Sequence, residues 1–212
     1  MQGPSLTAGR TSDHLSPFNE DALPVGSLYI ADLGYTSWAR TAARRAAGRY
    51  TLTRAPARTM FWTPEGKRLH LETLLPQQVG QTNECWVLVG DHYRYLMRLL
   101  LLRVPKEVAE RRRAALVADG LRRHRKVSAK ALQVVDWTLL LTDVPANQLT
   151  LPEALVLLRE RWQIELLFKL WKQDGRIDEW RTSNPWRILC EMYAKLIGSL
   201  LQHWLFLLFA RA

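Results

Sequence analysis

The chain has 212 residues, of which 48% are apolar, a composition that fits a globular protein and excludes a disordered one. Thirty Lys and Arg against twenty Asp and Glu give a formal net charge of +10. This balance favours a polyanionic partner, with nucleic acid ahead of an acidic membrane surface. The first fifteen residues are polar, so no signal peptide is predicted and we expect a cytoplasmic protein.

The N-terminal part of the chain alternates predicted strands with one helix. The first 25 residues, rich in Ser, Thr, Pro and Asp, predict an irregular lead-in. The apolar run Gly26–Asp32 ends in a carboxylate and predicts a buried strand. A helix over Ser37–Ala47 is closed by Gly48. Four strand-like runs follow, separated by turns that contain Pro or Gly: Tyr50–Arg54, Thr59–Trp62, Glu84–Gly90 and Arg94–Val104.

The second half is predicted to be mainly helical. Pro105–Lys126 has proline at its start and arginines near its end, which predicts a helix, and Val135–Asp143 predicts one more strand. Two helices complete the chain, the first opening with a capping box at Thr150–Glu153 and the second with Asn184 before a proline. The apolar tail Leu196–Ala210 is about fifteen residues long, shorter than the roughly 20 that span a bilayer, so we expect a buried helix.

The first of these last two helices carries four charged residues on one side. Arg161, Glu165, Lys169 and Lys172 follow one another at offsets of four, four and three, which places them within roughly 80° on a helix. Their neighbours are mostly apolar, so a largely buried helix is expected to present one narrow charged stripe. A carboxylate flanked by cations suits a metal ion and phosphate groups, which indicates phosphodiester chemistry. The alternative for Glu165 is an ordinary surface ion pair with Arg161 or Lys169.

The same spacing resembles the C-terminal signature of DDE transposases of the insertion-sequence-four type. That signature is Tyr, two residues, Arg, three residues, Glu, six residues and Lys. Arg161, Glu165 and Lys172 match it, whereas Leu158 stands where the family has Tyr. Upstream, Asp32–Tyr35 resembles the motif around the family's second catalytic aspartate, which ends a core strand. The alternative for Asp32 is an aspartate in a plain strand-to-loop turn.

The resemblance implies the roles of these residues. Asp32 and Glu165 would be catalytic metal ligands for Mg²⁺, with Mn²⁺ as a substitute. Arg161 and Lys172 would contact DNA phosphates near the element end, with Lys169 as an additional contact. Hard carboxylate oxygens suit Mg²⁺, and two such ions stabilise the attacking and leaving oxygens of an in-line displacement.

A third carboxylate of the family precedes the second by well over a hundred residues, on the first strand of the core. Only 31 residues precede Asp32 here, and Asp13 is not a replacement. We therefore expect an N-terminally truncated transposase, which also ends inside its last helix. DNA cleavage and strand transfer at insertion-sequence ends would then be impaired. The alternative is an inactive fragment that binds DNA or inhibits the full-length transposase.

The expected fold class is α/β: a partial RNase H-like (retroviral-integrase-like) core with a β-rich insertion before the C-terminal catalytic helices. The expected segments are a core remnant carrying the second Asp (1–50), the insertion with a basic helix (51–145) and the core helices carrying the Glu (146–212). The expected partner is double-stranded DNA, both element ends and target, bound by a homodimer in a synaptic complex. A nucleoid-associated cytoplasmic bacterial protein is implied, with neither a membrane nor a small-molecule substrate.

Two features of the predicted insertion leave alternatives open. The basic runs Arg111–Arg113 and Arg122–Lys126 suit either DNA phosphates or a solvated helix face. Trp62, Trp86 and Trp137 lie in strand-like runs, where core packing is the default. In the resembled family an insertion Trp can stack on a flipped base, and the sequence does not select one of the three.

Overall fold

The structure is a computed structural model that describes residues 23–31, 36–56, 59–90 and 94–209. Asp13 and Asp32 fall outside these residues. The chain divides into two compact units, with the boundary between Leu155 and Val156. The three segments expected from the sequence remain a prediction.

The first unit is built on one mixed sheet of seven strands in the order β1-β2-β7-β6-β5-β3-β4. β1 and β2 are parallel, and every other neighbouring pair is antiparallel. The strands are β1 Leu28–Ala31, β2 Tyr50–Arg54, β3 Phe61–Trp62, β4 Arg68–Leu69, β5 Thr82–Val89, β6 Tyr95–Arg103 and β7 Trp137–Thr142.

Six α-helices occur in the described part of the chain. Short 3-10 turns lie at Leu71–Thr73 and Val134–Asp136. The helices are α1 Trp38–Ala46, α2 Lys106–Arg122, α3 Ala129–Gln133, α4 Leu151–Glu160, α5 Trp162–Gln173 and α6 Pro185–Phe209.

The parallel pair β1 and β2 is joined by α1, as a parallel connection requires. The hydroxyl of Ser37 caps α1 by accepting a hydrogen bond from the Arg40 N–H at 3.4 Å. Gly48 closes the turn after the helix with φ of +69°, a conformation that glycine adopts without steric cost. The predicted strand before Asp32 and the predicted helix over Ser37–Ala47 are therefore confirmed. The strand was expected to be buried, which is wrong, because β1 lies at the edge of the sheet and residues 28–30 are only half-buried.

The core lies on one face of the long antiparallel strands. Met97, Leu99 and Leu101 of β6 are fully buried between β5 and β7. Leu100 points to the opposite face and is only 1% exposed, so this strand is covered on both sides. A continuous apolar run is the expected pattern for a strand in that position.

Arg98 interrupts that apolar run and is completely buried. Its guanidinium donates to the carbonyl oxygens of Val144 at 2.9 Å and Leu149 at 2.5 Å. Its Nε lies 3.0 Å from Glu84 Oε1, within ion-pair distance although not aligned as a hydrogen bond. Arg98 therefore ties the connection between β7 and α4 to the middle of the sheet.

Asp143, directly after β7, is a second buried charge, with 3% of its surface exposed. Its Oδ1 accepts a hydrogen bond from the Thr51 N–H at 2.6 Å. Burial raises the pKa of Asp143 above its ordinary value, although the Thr51 hydrogen bond and the charges of Arg45 and Arg44 oppose the shift. Charging this group therefore works against the folded state.

This pKa shift predicts a pH dependence of stability. Because the folded chain holds the Asp143 proton to higher pH than the unfolded chain, its contribution to stability is complete below the ordinary pKa of 3.8 and falls as pH rises through the folded pKa. Asp143→Asn should gain melting temperature relative to the wild type at neutral pH. The gain should shrink as pH falls towards 3.8. If thermal unfolding shows the same gain in melting temperature at every pH, this explanation is wrong.

Three expectations for the C-terminal helices are wrong. The first helix is interrupted at Arg161, where the Ile164 N–H bonds the carbonyl of Arg161, three residues back instead of four. The helix with the charged stripe is exposed rather than largely buried, and α6 over 196–209 is exposed as well. Apolar composition predicts burial, but no described element covers these side chains.

α6 begins at Pro185, directly after the predicted N-cap Asn184, whose Oδ1 accepts a hydrogen bond from the Trp186 N–H at 3.0 Å. The predicted start of the last helix is therefore confirmed, and the helix has 25 residues. By length and composition alone it could cross a membrane. Such a helix taken singly is weak evidence for a membrane span.

Candidate active site

The charged stripe is carried by α5, which follows α4 after the interruption at Arg161. The start of α4 is fixed by the predicted capping box. Glu153 Oε2 accepts a hydrogen bond from the Thr150 N–H at 2.8 Å, and Thr150 Oγ1 accepts one from the Glu153 N–H at 3.4 Å. These bonds satisfy two donors that a helix start otherwise leaves unpaired.

Glu165 and Arg161 form an ion pair on the surface of the second unit. Arg161 Nη2 lies 3.0 Å from Glu165 Oε1, and 44% of the Glu165 side chain is exposed. Exposed pairs at this spacing contribute about 0.3–0.5 kcal/mol. The geometry is that of the ordinary helix pair, and its small energy leaves Glu165 available to another cation.

The other two members of the stripe are exposed. Lys169 and Lys172 lie on α5, and neither forms an ion pair with a described residue. Both are therefore available to an anion in solution. Leu158, which stands at the family's Tyr position, is only 7% exposed on α4 and offers an apolar side chain where the signature has a hydroxyl.

The metal-ligand set cannot be assembled from the described residues. Among them no three His, Cys, Asp or Glu side chains come together as a metal site. Glu165 is the one predicted ligand that the structure places, and Asp32 lies outside the described residues. A metal role for both residues remains a proposal.

Much of the basic helix is engaged in internal bonds. Arg112 donates to the carbonyl of Trp137 at 3.2 Å and to Thr138 Oγ1 at 3.1 Å, and burial lowers the pKa of Arg112. Arg113 Nη2 lies 2.6 Å from Asp136 Oδ1. Arg122 and Arg123 both pair with Asp119 on the same helix. Arg112 and Arg113 thus hold α2 to the sheet, a role that neither sequence alternative included.

The three tryptophans of the sheet differ in exposure. Trp62 is 8% exposed, and Trp137 packs against the core while its Nε1 donates to the Pro76 carbonyl at 2.8 Å. The default of core packing is correct for these two. Trp86 is 40% exposed, so core packing is wrong for it.

Two groups of polar residues were missed by the sequence analysis. Arg98 could have been found, because a single charge inside an apolar strand indicates a buried ion pair. Arg68 and His70 line one cavity together with Lys130, which comes from a distant part of the chain. No local sequence signal unites these three.

The first unit is thus a mixed sheet with one parallel strand–helix–strand connection, and α5 presents a carboxylate between cations. The chain belongs to the family described as Transposase DDE domain, whose match covers residues 10–201. Membership implies an RNase H-like fold, with which the mixed sheet is consistent. No solved structure matches the chain significantly.

The relatives that it matches are transposases of bacterial insertion sequences. It is 28% identical over 196 residues to the transposase for insertion sequence element IS231F of Bacillus thuringiensis subsp. israelensis, covering 84% of this chain and 41% of the relative. It is 28% identical over 205 residues to the transposase for IS421 of Escherichia coli, covering 92% of this chain and 54% of the relative. The chain thus spans about half the length of the curated relatives it matches.

Proposed function

We propose that this chain takes part in DNA transposition, binding the ends of an insertion sequence and contributing to metal-dependent strand cleavage and strand transfer. The observation that carries the proposal is the exposed stripe on and just before α5, Arg161 to Lys172, in a chain of the DDE transposase family. The net charge of +10 supports double-stranded DNA as the partner.

The proposed roles follow from the chemistry of each side chain. Glu165 and Asp32 would hold divalent metal, Mg²⁺ or Mn²⁺, through hard carboxylate oxygens. When bound, the metal supplies charge stabilisation to the attacking and leaving oxygens. Arg161 orients the Glu165 carboxylate through their 3.0 Å contact and, together with Lys172, contacts the phosphates of the element end. Lys169, between them, adds a further phosphate contact.

Cleavage by these 212 residues alone is proposed to be impaired. Asp32 and Glu165 supply two of the three carboxylates that the family resemblance implies, and the buried Leu158 offers no hydroxyl to a phosphate. The alternative is a catalytically inactive protein that binds DNA or inhibits an intact transposase. In either case we propose a homodimer on paired ends and a location at the bacterial nucleoid.

The test is a combined binding and nicking assay on a labelled duplex that bears the element end, in Mg²⁺ and then in Mn²⁺. Binding is expected to exceed cleavage. Lys172→Gln should remove about one phosphate contact, so that log affinity falls less steeply with log salt, by about 0.9 in the slope. The matched control is Lys106→Gln, since Lys106 is exposed and already pairs with Glu110. Binding without nicking in either metal would favour the inhibitor. A chain that neither binds nor nicks would refute both functions.

A further inference from the structure

A cavity of about 370 Å³ opens beside β4, the outermost strand at one edge of the sheet. Its polar lining comes from three elements: Arg68 on β4, Glu72 on the 3-10 turn, and Lys130 and Gln133 on α3. Next to β4, His70 completes the polar side. The volume lies within the range of small-ligand sites, about 300–1,000 Å³.

We propose that this cavity is a phosphate-binding site for the DNA backbone, formed by residues other than those of the charged stripe of α5. The proposal rests on the proposed function, because it assumes that DNA is the partner. It assigns a binding role to Arg68 and Lys130, residues that the family signature does not include.

The charge of the cavity supports an anionic ligand. Arg68 and Lys130 supply two basic side chains, and Glu72 is the single carboxylate among the lining residues. Neither cation forms an ion pair with any described residue. By contrast, Arg113 is neutralised by Asp136 at 2.6 Å. Arg113 therefore has a counter-ion among the described residues, whereas Arg68 and Lys130 do not.

The hydrogen-bonding groups of the cavity also match a phosphate. Lys and Arg side chains are donors only, so they need a ligand that accepts. Phe61 also lines the cavity but is only 4% exposed, so it offers little surface for base stacking. The two cations therefore favour the sugar–phosphate backbone as the ligand.

The cavity lies far from the strand that precedes Asp32. β4 and β1 occupy opposite edges of the seven-stranded sheet. Six strand spacings of about 4.8 Å separate them by roughly 29 Å. That distance equals roughly eight to nine base pairs at about 3.4 Å each. A contact at this edge would anchor DNA well away from the strand that precedes Asp32.

The experiment measures the affinity of the chain for a labelled 30-base-pair duplex at several salt concentrations. Arg68→Gln with Lys130→Gln should lower the slope of log affinity against log salt by about 1.8 and weaken binding about tenfold or more at about 0.1 M salt. The matched control, Lys106→Gln with Arg122→Gln, removes the same charge from exposed residues that pair with Glu110 and Asp119. It should change affinity less than about threefold and leave the slope unchanged.

Equal losses in the two double variants would overturn the site, because net charge alone would then explain the effect. An unchanged slope in Arg68→Gln with Lys130→Gln would overturn it as well. The charge-conserving pair Arg68→Lys with Lys130→Arg should retain the wild-type slope, and thermal unfolding of all variants checks that each is folded.

A titration with inorganic phosphate separates this proposal from the proposed function. In nuclear magnetic resonance spectra, phosphate should shift the amide signals of Arg68 and His70, and the double variant should lose the shifts. If phosphate shifts these signals but the chain does not bind DNA, the cavity is an anion site and the proposed function is refuted. Nicking by a chain whose cavity binds neither phosphate nor DNA would refute the site and leave the function intact.

Discussion

Replacing Arg98 by methionine is expected to lower the free energy of unfolding by about 3–5 kcal/mol, because two buried carbonyl oxygens lose their hydrogen-bond donor. Methionine keeps much of the apolar stem but leaves the carbonyls of Val144 and Leu149 without their donor. Each buried carbonyl left unpaired costs about 1–3 kcal/mol. In thermal unfolding, the loss corresponds to roughly 6–20 °C in melting temperature at about 2–4 °C per kcal/mol.

The matched control for this prediction is Arg94→Met, just before the same strand. Arg94 is exposed, with its guanidinium carbon 4.8 Å from the centroid of the Trp62 ring. Exposed cation–π contacts contribute about 0.5–1 kcal/mol. If Arg98→Met destabilises the chain no more than Arg94→Met does, Arg98 does not hold the connection between β7 and α4.

Glu165→Gln is expected to reduce any metal-dependent nicking to the level seen without metal. Glutamine preserves the size of the side chain and can still accept a hydrogen bond from Arg161, but it lacks the charge that a hard cation requires. Removing one negative charge beside the proposed phosphate contacts should raise affinity for DNA without metal, by less than about threefold. Nicking and binding are scored on the same labelled duplex.

Glu160→Gln is the control, since Glu160 is an exposed glutamate just before the interruption and accepts a hydrogen bond from Gln163. It should leave nicking unchanged. Electron paramagnetic resonance of Mn²⁺ with the chain and its duplex gives a second readout, in which Glu165→Gln binds less of the ion. Undiminished nicking by Glu165→Gln would exclude Glu165 as a metal ligand.

The strands and helix starts were predictable because their signals are local. β2 has the predicted bounds, Tyr50–Arg54, and the capping box at Thr150 makes the predicted bonds. The short strand β4 and the helix α3 were not predicted, because two and five residues are too few to show a period. The joining of β2 to β7 depends on a pairing between distant parts of the chain, which no local pattern encodes.

The candidate site was predictable only as a set of residues. The helical spacing of Arg161 and Glu165 predicted their proximity, and the structure confirms a 3.0 Å contact. Apolar residues of α5 and α6 were wrongly predicted to be buried. Hydrophobicity shows that burial would be favourable, but it does not show that another element packs over these side chains. Arg68 and Lys130 are far apart in the sequence but line the same cavity, so their proximity could be found only from the folded structure.

The pairing of β2 with β7 also constrains how the chain is made. Leu52 pairs with Thr142, ninety positions later. At about 5–20 residues per second, a ribosome needs roughly 5–18 s to synthesise that interval. The β5–β6 hairpin can form within that time, since its strands are close in the chain. The edge of β2 that pairs with β7 stays unpaired during this time. The nascent chain is therefore vulnerable to mispairing between strands until β7 has emerged.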